Sequence, residues 1–184
     1  DDREWMTPPG KKDINLLVIS GGGAGGAFSV GVLAAWSKSG ARPDFDIVTG
    51  VSTGALIAPF AFLGRAYDDE LANIYIGGTA QKLVEARWMV NRHMTAPMMA
   101  AIAVEHRKGR RLLVLTANLD SQRAVVWNIG AIASSGRPDA LALIRDVLVA
   151  SASVPGVYPA VMIKAKANGR SIEEMHSDGC SVSQ

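Results

Sequence analysis

Two glycine-rich junctions constrain this chain more than any other feature of it. "GGGAGG" (21–26) follows the apolar, branched run "INLLVIS" (14–20), and "GVSTG" (50–54) closes the run "FDIVTG" (45–50). Each junction opens onto a stretch with helical spacing of apolar residues. These stretches are "AFSVGVLAAWSKSG", ending near Gly40, and "TGALIAPFAFLG". Short apolar runs bounded by glycine predict buried strands, and the longer periodic stretches predict helices. Strand–glycine turn–helix, met twice in succession, predicts an α/β domain with a mostly parallel central sheet.

The rest of the chain continues the alternation. Residues 68–108 read as helices broken at "GGT" and "TAP". "RLLVLTANL" and "RAVVWNI" predict a third and a fourth strand. "RPDALALIRDVLVASA" predicts a helix with Pro138 in its first turn and Pro155 stopping it. "VMIKAKANGRSIEEMHSDG" predicts a hairpin turning at Asn168 and Gly169. The expected arrangement is one three-layered domain over 14–184, preceded by a polar extension over 1–13, without internal repeats.

Composition narrows the partners. A chain of 184 residues, 48% of them hydrophobic, can bury one good core and is short for two. A net charge of +2 gives no footprint for nucleic acid. The single cysteine, Cys180, excludes an internal disulfide framework and leaves the redox compartment open. No run approaches the roughly 18 apolar residues of a membrane span, since "ALIAPFAFLG" is short and holds Pro59. "DDREWMTPPGKKD" is not an export signal, but a removed one leaves no trace, so envelope, secreted and cytoplasmic addresses all stay open.

Ser52 is the first candidate for chemistry. "GVSTG" fits G-x-S-x-G between a strand and a helix, the context that gives this short pattern its meaning. A sharp turn there strains the serine backbone and crowds its neighbours, which calls for Gly50 and Gly54. The following helix offers unpaired N–H groups and a positive dipole end to a developing anion. An ordinary turn with Ser52 as helix cap accounts for the same residues.

The glycine loop has three readings. Gly21, Gly23 and Gly26 match G-x-G-x-x-G, so a nucleotide-binding oxidoreductase has to be weighed, with Asp44 or Asp46 as the ribose-binding acid. Both aspartates precede the second strand, however, whereas that acid belongs at its C-terminal end. The second reading is a set of free backbone amides forming an oxyanion hole. The third is a flexible loop. If both junctions lie side by side at one sheet edge, the Ser52 hydroxyl sits near the amides of Gly22, Gly23 and Ala24, the layout of an acyl-transfer site.

These residues carry a family resemblance. The chain resembles the bacterial patatin-like phospholipases, lipid acyl hydrolases that use a Ser-Asp dyad. Three blocks match in order: "GGGAGG", "GVSTG" and the D-G-[GA] block at "SDGC". "RPDFDIVTGVSTGALIAPFAFLG", "EHRKGRRLLVLTANLD" and "ASASVPGVYPAV", with its A-S-x-x-x-P, support them. The resemblance implies a three-layer patatin-like α/β fold. It implies Ser52 as nucleophile, Asp178 as base and the amides of Gly22, Gly23 and Ala24 as oxyanion donors. Gly21, Gly26, Gly50, Gly54 and Gly179 are the motif glycines. No metal and no organic cofactor is implied. The implied substrate is a phospholipid or another acyl lipid, met in transient contact with a membrane surface. A catalytically silent, lipid- or partner-binding relative would show the same motifs.

The chain departs from the family at four places. Gly25 stands where the loop often has Lys or Arg, and Cys180 stands where Gly or Ala is usual. The segment around 76–94 is shorter than the expected lid-like helices, and the sequence stops six residues after Asp178, where relatives continue with strands.

An ordinary carboxylate, with a pKa of about 3.9, is a weak base for an alcohol, so Asp178 has to be buried and aimed. Without the motif set it reads as a hairpin-end aspartate bonding its own backbone. His176 lies two residues earlier, on the same strand face, and offers a Ser-His-Asp triad as the alternative. Its order in the chain departs from that of the α/β-hydrolases. His93 and His106 are expected on helix surfaces without a role, and three scattered histidines do not suggest zinc. "EHRKGRR" (105–111) reads as a solvated connection or as a site of attraction to anionic lipid. Cys180 is expected to pack as a small residue. Trp5, Trp36, Trp88 and Trp127 are too scattered for a lipid-binding belt.

Overall fold

The computed structural model describes residues 13–76, 86–167 and 170–182. In chain order the elements are β1 (Leu16–Ile19), α1 (Gly26–Lys38), β2 (Ile47–Val51), α2 (Thr53–Leu63), α3 (Asp68–Ile76), α4 (Ala86–His93) and α5 (Ala96–Arg107). They continue with β3 (Arg111–Asn118), β4 (Arg123–Asn128), α6 (Ile129–Ser134), α7 (Ala140–Ser151), β5 (Val161–Ala167) and β6 (Arg170–Asp178). Among the described residues no helix is long and apolar enough to cross a membrane.

Among the described residues six strands form one sheet. β1, β2 and β3 run parallel, as the two strand–turn–helix units require; β4, β5 and β6 are joined antiparallel. In β3, Leu112, Leu113 and Val114 are buried in succession, which a strand allows only where both faces are covered. Helices therefore lie on both sides, giving the expected three layers. α2 is the central helix: from Thr53 to Phe62 every residue is buried, and its apolar composition all round suits that place.

The arrangement around β3 decides where the site falls. A strand has only two hydrogen-bonding edges. Residues 113–115 pair with β2 and β4 together, so those two strands hold opposite edges. Residues 116–118 pair with β4 and β6 together, so β6 takes over the edge that β2 has left. β2 ends with Val51 opposite Leu115, and β6, running the other way, ends with Asp178 opposite Thr116. The two strands meet tip to tip on one edge of β3.

Several local expectations change. The helix after "RPD" begins at Ala140, not at Pro138. The Ala140 amide reaches the Arg137 carbonyl at 3.2 Å, so Pro138 sits second in a turn, where its fixed φ is favoured. α6 is a helix that the strand-like "RAVVWNI" conceals; the Asn128 side chain caps it by accepting the Ala131 amide at 2.9 Å. α5 starts at "TAP", with Thr95 accepting the Met98 amide. The "GGT" break and the Asn168–Gly169 turn lie outside the described residues, although Ala167 pairs Arg170 as a hairpin demands. "EHRKGRR" is only partly a solvated face. Arg110 stacks on the Phe62 ring at 4.5 Å and donates to the carbonyls of Phe45 at 2.7 Å and Phe62 at 2.6 Å. It clamps α2 to the start of β2.

Candidate active site

Ser52 stands alone between β2 and α2, at φ 57° and ψ −130°. A non-glycine residue in that region stores about 1–3 kcal/mol of backbone strain and persists only where its surroundings hold it. Here they do. The Ser52 amide donates to Ser151 Oγ at 3.1 Å, and Ser151 Oγ donates to the Leu115 carbonyl at 2.7 Å. Gly50 and Gly54 touch within the turn, and a side chain on Gly54 would strike the Ile19 carbonyl. Ser52 occupies the N-cap position of α2, yet its hydroxyl makes no cap bond. The cap reading therefore leaves the hydroxyl unexplained.

The glycine loop lies against this elbow. A Cβ on Gly21 would come within 2.8 Å of Ser52 Cβ and 3.4 Å of its Oγ, so only a bare backbone fits between them. Thr53 Oγ1 donates to the Gly23 carbonyl at 3.2 Å, tying the two junctions together. Gly23 adopts φ +53°, which glycine takes without strain. Gly26 packs against the Thr53 methyl and Tyr75, closing α1 onto the elbow. Residues 23–25 form a 3₁₀ turn whose first donor is the Gly25 amide, bonded to the Gly22 carbonyl at 2.9 Å. The N–H groups of Gly22, Gly23 and Ala24 precede that donor and have no partner inside the turn. All three residues are exposed.

Asp178 arrives from the other side. It is buried at the end of β6, and its amide donates to the Ser153 carbonyl at 2.9 Å. One carboxylate oxygen, Oδ1, accepts the Cys180 amide at 2.9 Å, the local bond of a hairpin-end aspartate, which also fixes the plane of the carboxylate. Gly179 explains the next step. A side chain there would lie 2.8 Å from both the Leu115 carbonyl and Val51 Cγ2, so the chain turns directly over the tip of β2. Cys180 needs no glycine, since its φ is not positive. Its sulphur faces Gly21 and the Asp178 carboxylate, and burial, followed by that negative charge, pushes the thiol pKa up. It is correspondingly a poor nucleophile.

His176 is oriented by other partners. It is fully buried, with Nδ1 2.9 Å from Thr116 Oγ1, Nε2 3.4 Å from Glu174 and the ring edge-on to Trp127. Trp127 Nε1 donates to the same threonine oxygen at 2.8 Å. Both ring nitrogens are engaged away from the elbow, and burial lowers the imidazole pKa. His93 pairs with Glu70 at 2.7 Å. His106 is half-buried against Gly130 instead of lying on a surface, and burial lowers its pKa. Asp46 is buried at the N-terminal start of β2, where it accepts the Asn15 amide at 3.0 Å. Asp44 is exposed just before β2, with its carboxylate facing Gly64. Both aspartates lie at the N-terminal end of β2, whereas the glycine loop follows the C-terminal end of the parallel β1, which removes the ribose-binding acid that the oxidoreductase reading needs.

Sequence reasoning missed Ser151, Ser153 and Thr53. The end of α7 holds both halves of the site, Ser151 through the Ser52 amide and Ser153 through the Asp178 amide. The A-S-x-x-x-P pattern, whose serine is Ser151, was the available signal.

This is an α/β protein with a strained serine elbow and a glycine loop at one sheet edge. A family profile described as patatin-like phospholipase matches residues 17–180, and the chain belongs to that family of lipid acyl hydrolases. Among solved structures it is similar to VipD from Legionella pneumophila, with a TM-score of 0.57 and 13% identity over 90% of this chain. That likeness concerns the fold, and this chain spans 46% of the length of the VipD chain. No curated protein matches it.

Proposed function

We propose that this chain hydrolyses fatty-acyl esters of phospholipids or related lipids through an acyl-enzyme on Ser52. Ser52 Oγ attacks the ester carbonyl carbon while its proton passes to the Asp178 carboxylate. The amides of Gly22, Gly23 and Ala24 hold the resulting oxyanion. Collapse expels the alcohol, which takes the proton from Asp178, and water then attacks the acyl-serine to release the fatty acid. The observation that carries this reading is the tip-to-tip meeting of β2 and β6 on one edge of β3. It supports the reading because the strained Ser52 directly follows the tip of β2, the buried Asp178 ends β6, and the bare Gly21 backbone packs against the serine.

A fluorophosphonate probe tests the reading. It is expected to label the chain at Ser52, and Ser52→Ala is expected to lose both labelling and p-nitrophenyl ester hydrolysis while keeping its thermal transition. A folded chain that takes no label would assign it to the silent relatives, and full turnover by Ser52→Ala would remove the serine mechanism.

A further inference from the structure

The segment that links α7 to β5 leaves the candidate site and comes back to it. The Ser153 carbonyl accepts the Asp178 amide, and Val161 pairs with His176, on the same strand as Asp178. Residues 154–160 therefore run over the end of the sheet that carries Ser52 and the glycine loop. They form a preset turn. The amides of Val157 and Tyr158 both donate to the Val154 carbonyl, at 3.1 and 3.0 Å. Pro155 and Gly156, the latter at φ +82°, fill the central positions, the residue types that suit a type II turn.

This turn presents apolar side chains to solvent. Val154 and Val157 are exposed, Val157 to 68%. No charged residue stands between Asp146 and Lys164. At the same end of the sheet Phe28, in the first turn of α1, is 78% exposed. Apolar residues scattered singly over a surface need no explanation. These follow directly on Ser153 and on the glycine loop.

The chemistry of the turn selects its partner. A protein partner is specified by charges and hydrogen bonds around an apolar centre. The turn offers no charge. Pro155 and Pro159 carry no N–H, and the Val157 and Tyr158 amides are already paired. A lipid surface asks for apolar area and for backbone donors that are satisfied beforehand. A turn fixed before contact also costs little further ordering.

We infer that the Val154–Val157 turn, together with Phe28, docks this end of the sheet onto a lipid surface by apolar insertion. The inference rests on the hydrolase reading above, for which it supplies the route of a lipid to Ser52, and docking can be measured apart from turnover. Because the turn is uncharged, docking should need no anionic lipid and should withstand salt.

Cosedimentation of Ser52→Ala with dioleoylphosphatidylcholine vesicles tests it without turnover. Adding Val157→Asp is expected to lower the partition by at least about tenfold, and adding Val157→Trp to raise it. Val104→Asp is the control: this valine, 43% exposed, lies near the end of α5 that leads to the start of β3, opposite the site, and its change should leave the partition as it was. With Ser52 intact, Val157→Asp should keep p-nitrophenyl acetate turnover within about twofold while losing most turnover of the vesicle lipid. Absent binding, equal losses in Val157→Asp and Val104→Asp, or binding that requires anionic lipid would overturn the docking and leave the hydrolase reading standing. If the unmodified chain turns over no ester yet Val157→Asp still weakens vesicle binding, the hydrolase reading fails and the docking surface stands.

Discussion

In the parallel half of the sheet, β1 and β2 each run straight into a glycine turn and a helix, and the turn that carries Ser52 is built from residues next to it in the chain. In the antiparallel half, Asp178 reaches the same point at the tip of a hairpin strand that continues the edge β2 leaves free. Ser52 sits on a strained local turn, whereas the Asp178 carboxylate is brought in by docking. One half can be damaged by altering a turn. The other depends on contacts between distant segments, gathered at the end of α7, where Ser151 grips the first half and Ser153 the second.

Short of the two candidate catalytic groups themselves, the largest effect should come from the local half. Gly23 has φ +53° and no neighbour within 4 Å of an added Cβ, so Gly23→Val strains the loop backbone without striking another residue. Losing one oxyanion donor costs about 10² to 10³ in kcat. Gly23→Val is expected to lose that much with a small change in thermal stability. Normal turnover would return the loop to the role of a plain connection.

A smaller effect is expected where the halves are joined. Ser151→Ala removes the acceptor for the buried Ser52 amide and the donor to the half-buried Leu115 carbonyl. The expected loss is about 1–3 kcal/mol of stability per stranded group. Turnover should fall as the elbow relaxes. Chemical denaturation of Ser151→Ala checks it, and wild-type stability would show that the brace carries no strain.

The smallest effect is in the response to pH. Burial lowers the imidazole pKa of His176, in the antiparallel half, and of His106. Both take up protons more readily in the unfolded chain, so their contribution is whole above the ordinary value of about 6.5 and is lost as pH falls through the lowered folded values. Thermal scans between pH 7 and pH 5 should show a falling transition temperature, and a shallower fall in His176→Gln. Equal slopes would mean that His176 does not titrate on unfolding.

The same contrast explains what the sequence made legible. Strands β1 and β2, the helices after them and the elbow were readable because each is announced within a few residues by apolar runs and glycines. The meeting of β6 with β2 was not, since nothing in "HSDG" or "VTGV" states which edge of β3 either will occupy. Asp178 was named through the motif set and not through its own residues. Arg110 looked solvated because its partners, Phe45 and Phe62, are distant in sequence. α6 was hidden because its cap, Asn128, is also the last residue of β4.

The central claim is that the docked carboxylate, and not the histidine beside it, serves the strained serine. Measuring kcat/KM for Asp178→Asn and His176→Asn side by side tests it most directly. Removing a true triad member costs several orders of magnitude in serine hydrolases. The dyad predicts that Asp178→Asn is inactive, whereas His176→Asn, which disturbs the contacts with Thr116, Trp127 and Glu174, keeps most of its turnover. An inactive His176→Asn beside an active, folded Asp178→Asn would contradict the account and make His176 the base.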